Sequence, residues 1–102
     1  MPKKILIVDD EPNIRILLRQ AFEDLEARGV EMLETGEGGE AWRLIQAERP
    51  DLIVLDIMMP GLSGYEICER VKSAPELSET YVIILPAKGQ AADRQRSFEV
   101  GA

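Results

Sequence analysis

Three aspartates are the residues of this chain best suited to do chemistry. Asp9 and Asp10 follow the apolar run Ile5-Leu6-Ile7-Val8, and Asp56 follows Leu52-Ile53-Val54-Leu55. Both runs are short, continuous and aliphatic, the pattern of a strand covered on both faces. In an open parallel sheet, ligands bind outside the carboxyl ends of the strands. Carboxylates far apart in sequence are therefore expected on one edge. Three like charges within a few ångströms are unstable alone: either their pKa values rise or a cation sits among them. The chain has no histidine and one cysteine, Cys68. An all-oxygen donor set completed by water and phosphate suits a hard ion, Mg²⁺ in particular. A plainer reading exists for one of the three: Asp10 precedes Pro12 and could simply cap a helix, where the dipole favours an anion. Asp56, at a strand end ahead of Ile57-Met58-Met59-Pro60, is not explained that way.

The elements that must position these groups follow from the hydropathy pattern. A strand over residues 5–8 leads to a helix that Pro12 can open, since its missing N–H costs nothing in the first turn. Ile14, Leu17, Leu18, Ala21, Phe22 and Leu25 recur at helical spacing, and Gly29 suits the stop. Residues 30–33 form a second strand, interrupted by Glu31 and so nearer a sheet edge. A glycine-rich turn over 35–39 precedes a helix marked by Ala41, Leu44 and Ile45, which ends before Pro50. Residues 52–55 form the third strand. Met59-Pro60-Gly61 breaks the chain, and Ser63 can cap a helix carrying Gly64, Ile67, Cys68 and Val71 on one face. Residues 82–85 form the fourth strand, stopped by Pro86, and a last helix covers 90–100. This βα alternation predicts an α/β fold, a doubly wound parallel sheet with helices on both faces.

Composition sets the limits. The chain has 102 residues, 19 acidic against 12 basic, a net charge of −7 and 45% hydrophobic residues. That is one domain, 1–102, with a globular core. The acidic balance argues against nucleic-acid or anionic-membrane surfaces. The absence of histidine excludes histidine acid–base catalysis, histidine metal ligands and a phosphohistidine carried here. A lone cysteine forms no internal disulfide, and no apolar run is long enough for a signal-peptide core or a membrane span. A cytoplasmic protein is the expectation.

Three blocks carry a resemblance: Ile5-Leu6-Ile7-Val8-Asp9-Asp10-Glu11, Pro50 through Gly64 with Asp56-Ile57-Met58-Met59-Pro60-Gly61 at its centre, and Val82-Ile83-Ile84-Leu85-Pro86-Ala87-Lys88. Together they resemble the receiver domain of bacterial two-component response regulators, along the whole chain. The resemblance implies a flavodoxin-like fold, five strands flanked by five helices in the family. It also implies a module that is a phosphoacceptor rather than an enzyme. Asp56 would accept a phosphoryl group from a sensor histidine kinase or phosphotransfer protein. Asp9, Asp10, Asp56 and the backbone carbonyl of Met58 would hold Mg²⁺, and no other cofactor is implied. A phosphohydrolase of the haloacid-dehalogenase type also uses a strand-end aspartate, but it wants a second aspartate where this chain has Met58.

Two departures qualify the resemblance. Pro86, followed by Ala87, stands at the switch position where the family has Thr or Ser, so the hydroxyl that would contact the phosphoryl group is absent. Lys88 lies two residues beyond and reads as a solvated loop residue. Four βα units are present, and the expected fifth strand, its lysine and the fifth helix are missing after Gly101-Ala102. The expectation is a homo-oligomer, formed through the fourth-strand edge or by exchange of elements. Part of the Leu17, Leu18, Phe22 and Leu25 face is expected bare. The alternative function is a degenerate receiver acting through protein contacts without phosphate. Cys68 reads as a small core residue, Trp42 as a partly exposed helix aromatic, and Tyr81 as the start of the fourth strand.

Overall fold

The computed structural model describes residues 3–57 and 62–85. The expected helix over 90–100, Met58, Pro86, Ala87, Lys88 and Gly101-Ala102 lie outside these residues. Four parallel strands, β1 (Lys4–Val8), β2 (Glu31–Thr35), β3 (Leu52–Asp56) and β4 (Tyr81–Leu85), form a sheet in the order β2-β1-β3-β4. The helices are α1 (Pro12–Ala21), α2 (Glu23–Ala27), α3 (Gly38–Glu48) and α4 (Gly64–Ser73), with a 3₁₀ turn at Pro75–Leu77. The βα alternation predicted a doubly wound parallel sheet, and the described residues form one.

Strand register explains the two layers of core. Leu6, Ile53 and Val82 lie side by side, as do Val8, Leu55 and Ile84. All six are buried in one cluster with Ala41 and Ile45 of α3 and Ile67, Cys68 and Val71 of α4. The intervening residues Ile5, Ile7 and Val54 point to the opposite face by the two-residue period of a strand, and α1 packs on β1 there. At α4 the expected face is the one observed: Gly64, Ile67, Cys68 and Val71 are its buried residues, and Ser63 Oγ caps the helix by accepting from the Glu66 amide at 3.2 Å.

Three boundaries differ from expectation. The first helix is two. At Phe22 (φ −100°, ψ 12°) the amide is shared between the Leu18 and Arg19 carbonyls, so the ladder shifts by one residue without breaking the apolar period. Only the ridge Ile14, Leu18 and Phe22 turns inward. Leu17 is 60% exposed, and Ala21 and Leu25 are also exposed. The neighbouring Ile16, outside that stripe, is exposed too. The second strand runs to Thr35, because pairing with β1 from Lys4 to Val8 sets its length and not its hydropathy. Among the described residues it is an edge strand, as its interrupted pattern suggested.

The expected turn over 35–39 is shorter, since Gly38 and Gly39 belong to α3. A Cβ on Gly38 would collide with the backbone of Leu62, so close packing accounts for that glycine. Helix stops match their signals. Gly29 takes φ +99°, and the Val30 amide reaches back to the Leu25 carbonyl at 3.1 Å, a helix-terminating arrangement. α3 ends at Glu48, with Arg49 in the left-handed region ahead of Pro50. Among the described residues no helix is long and apolar enough to cross a membrane.

Candidate functional site

The sheet order places the site. From β1 the chain crosses to β2 on one side, then returns past β1 to β3 on the other. The connections diverge above the carboxyl ends of β1 and β3, which is where open α/β sheets bind ligands. Asp9 and Asp10 continue β1, and Asp56 is the last residue of β3. Their carboxylate oxygens come within 4.8 Å of one another, so the three residues predicted to meet do meet.

Each has a distinct local setting. The Asp9 amide donates to the Thr35 carbonyl at 3.1 Å, extending the β1–β2 ladder by one rung and drawing the side chain inward. Asp9 is only 4% exposed, and its Oδ1 accepts from the Glu11 amide at 2.9 Å. That bond across two residues is a turn-forming aspartate geometry at the entry to α1. The capping reading of Asp10 does not hold: the residue in the N-cap position is Glu11, which makes no side-chain cap bond, and Pro12 follows. Asp10 is exposed and Asp56 half-buried.

Burial pushes the Asp9 carboxyl above the ordinary carboxylate range. The Glu11 amide bond opposes this, Asp10 and Glu11 add to it by their charge, and Arg15 opposes it weakly. A buried carboxylate beside like charges is the situation a cation relieves. The donor set fits such an ion. Oxygens around one octahedral Mg²⁺ stand about 3 Å apart when adjacent and about 4 Å when opposite. A carboxylate triangle with a longest side of 4.8 Å closes to those spacings by small side-chain shifts.

Backbone packing holds the β3 side. The Ile57 amide donates to the Leu85 carbonyl, and the Gly64 amide donates to the Ile57 carbonyl at 3.3 Å. A Cβ on Gly64 would stand 2.5 Å from the Asp56 carbonyl oxygen, so only glycine lets α4 begin against the Asp56 backbone. The central sequence block thus contains both the nucleophile candidate and the residue that makes room for it.

Sequence reasoning passed over Arg15, Glu34 and Gly36, which surround the Asp9 end of the site. Arg15 Nη1 donates to the Asp9 carbonyl at 2.6 Å and its Nε to Glu34 Oε1 at 3.3 Å. Nothing in the local spacing of residues 11–15 signals a partner on β2.

The sequence profile of the family described as the response regulator receiver domain matches residues 5–102. The chain is 40% identical over 102 residues to the phosphate regulon transcriptional regulatory protein PhoB of Rhizobium meliloti, covering 100% of this chain and 44% of that protein. It is 41% identical over 102 residues to the sporulation initiation phosphotransferase F of Bacillus subtilis, covering 100% of this chain and 78% of that protein. Among solved structures, a response regulator described as putative from Chloroflexus aurantiacus superimposes with a TM-score of 0.81 at 31% identity, covering 100% of this chain and 81% of that one. The chemotaxis response regulator CheY4 of Vibrio cholerae gives a TM-score of 0.79 at 28% identity, with 100% and 82% covered. The chain spans less than half the length of the transcriptional regulators it matches.

Proposed function

The chain belongs to the response regulator receiver domain family, and on that premise we propose that Asp56 accepts a phosphoryl group in a Mg²⁺-dependent reaction. The observation that carries this reading is the convergence of Asp9 and Asp10 on Asp56, with carboxylate oxygens within 4.8 Å, at the switch point of the sheet. Receiver domains work with histidine kinases or phosphotransfer proteins. The phosphoryl donor here is the phosphohistidine of such a partner, this chain having no histidine of its own.

In the transfer, an Asp56 carboxylate oxygen attacks phosphorus in line. The P–N bond to the donor imidazole breaks, the nitrogen keeps the electron pair, and an acyl phosphate forms on Asp56. Asp9 and Asp10, with the Met58 carbonyl and Asp56 itself, are the residues that would hold the ion. Bound Mg²⁺ would supply neutralisation of charge on the transferring phosphoryl oxygens. Asp9 contributes a buried carboxylate whose charge is costly without a cation. Gly64 contributes the close approach of α4 that fixes the Asp56 backbone. The added charge of the phosphoryl group is what would bias a partner-binding surface.

The test is incubation with Mg²⁺ and acetyl phosphate or beryllofluoride, read by intact-protein mass spectrometry and ¹⁹F NMR. We expect a single adduct that is absent in Asp56→Ala. Mg²⁺ binding with no adduct would instead support the second reading, a receiver acting through protein contacts without phosphate. Pro86 favours that reading, because the resemblance puts a hydroxyl at that position and proline supplies none. For either reading we propose self-association of the chain. Its support is that β4 is an edge strand among the described residues. Light scattering at micromolar concentration decides it, and a monomer there refutes it.

A further inference from the structure

We propose that Arg15 is a positioning residue of the acidic site: it clamps the Asp9 main chain, fixes where the Asp9 carboxylate stands, and so strengthens divalent-cation binding despite its own positive charge. The inference rests on the reading of Asp9 as a cation ligand.

Three observations carry it. Arg15 Nη1 donates to the Asp9 carbonyl at 2.6 Å, a short charge-assisted bond to the peptide that joins Asp9 to Asp10. Its Nε is held from the β2 side by Glu34 Oε1 at 3.3 Å, and Glu34 Oε2 also accepts from Arg19 Nη1 at 3.0 Å, so Glu34 is itself fixed between two arginines. Gly36 leaves the space for the guanidinium. Its backbone does not use the left-handed region, where among the described glycines only Gly29 lies, so conformation is not the reason for glycine. A Cβ at Gly36 would stand 2.9 Å from Arg15 Nη1 and 3.4 Å from the Asp9 carbonyl oxygen.

A cation beside three carboxylates repels a second cation. If Arg15 were only a surface ion pair, removing its charge would tighten Mg²⁺ binding. A positioning role predicts the reverse, since groups that orient metal ligands typically change affinity by about tenfold or more when lost.

The experiment is calorimetric Mg²⁺ titration of wild type, Arg15→Met and Gly36→Ala, with thermal melts in the absence of Mg²⁺. We expect wild type to bind and both variants to bind about tenfold more weakly, from folded baselines. Gly36→Ala displaces only the far end of a flexible side chain and leaves every charge in place. It therefore carries the test should Arg15→Met fold poorly. Equal or tighter binding by the variants, with wild type binding, overturns the proposal alone. No binding by wild type overturns the cation-site reading, and this proposal with it.

Discussion

The two ends of one sheet each gather carboxylates, and they treat them in opposite ways. At the amino end, Asp51 accepts from the Lys4 amide at 2.8 Å and faces Lys3 Nζ at 3.8 Å. Lys4 Nζ lies 2.7 Å from Glu48 and 3.8 Å from Glu31. Asp51, Glu48 and Glu31 each have a lysine beside them. At the carboxyl end, Asp9, Asp10 and Asp56 crowd together, while Arg15 gives its hydrogen bonds to a main-chain carbonyl and to Glu34. One end ties strands to their connections. The other brings three carboxylates together, the setting that the proposed cation site requires. A single fold thus separates lysine-paired acids at one end from the crowded carboxylates of the proposed cation site at the other.

The largest effect expected of any change at the carboxyl end comes from backbone spacing and not from charge. Gly64→Ala forces a Cβ against the Asp56 carbonyl, a backbone group that cannot swing away. Overpacking of this kind typically costs about 1–3 kcal/mol. Denaturant unfolding should show a loss of that order, and the variant should also lose any adduct on Asp56. Unchanged stability would show that α4 can retreat from β3.

Asp9→Asn tests the charge contrast. With its folded pKa raised, Asp9 binds more protons in the native than in the unfolded state, so it lowers stability as pH rises. The penalty is absent below the ordinary carboxylate value of 3.8, grows above it, and is complete above the raised value. Asp9→Asn should therefore stabilise the cation-free fold at neutral pH, read as a higher melting temperature than wild type. The gain should vanish in acid, and the stabilisation that Mg²⁺ gives wild type should be lost. Destabilisation at neutral pH would mean that the Asp9–Glu11 bond outweighs burial.

The legibility of these two ends in the sequence differs as their chemistry does. Strand ends and apolar runs are local, so Asp9, Asp10 and Asp56 could be placed on one edge before any coordinates, as could the face of α4 and the stop at Gly29. Partnerships across the sheet are not local. Arg15 with Glu34, Gly38 against Leu62, and Lys4 between Glu31 and Glu48 join residues whose separation carries no periodic signal. The inner ridge of α1 was blurred for a related reason. Leu17 fits the helical spacing as well as Leu18 does, and only packing on β1 decides which is covered.

The smallest effect belongs to the amino end, and its form distinguishes cohesion from function. Lys4 has its pKa raised, chiefly by the hydrogen bond to Glu48, with Glu48, Glu31 and Asp51 adding by charge against desolvation. A lysine with a raised folded pKa contributes stability that is fully present below its unfolded value and is lost as pH rises through the folded one. For Lys4 the loss falls above the ordinary value of 10.5. The pairs are partly open to water, so salt should weaken them as the screening length falls from about 10 Å at 0.1 M to about 3 Å at 1 M. Lys4→Met should shift the melting temperature less than either variant above. The shift should shrink in high salt and disappear in strong alkali. Its Mg²⁺ affinity should match wild type, because the lysine stands at the opposite end of β1 from the acidic site. A change in Mg²⁺ affinity would show that the two ends of the sheet are coupled, and that their division of charge is not a division of labour.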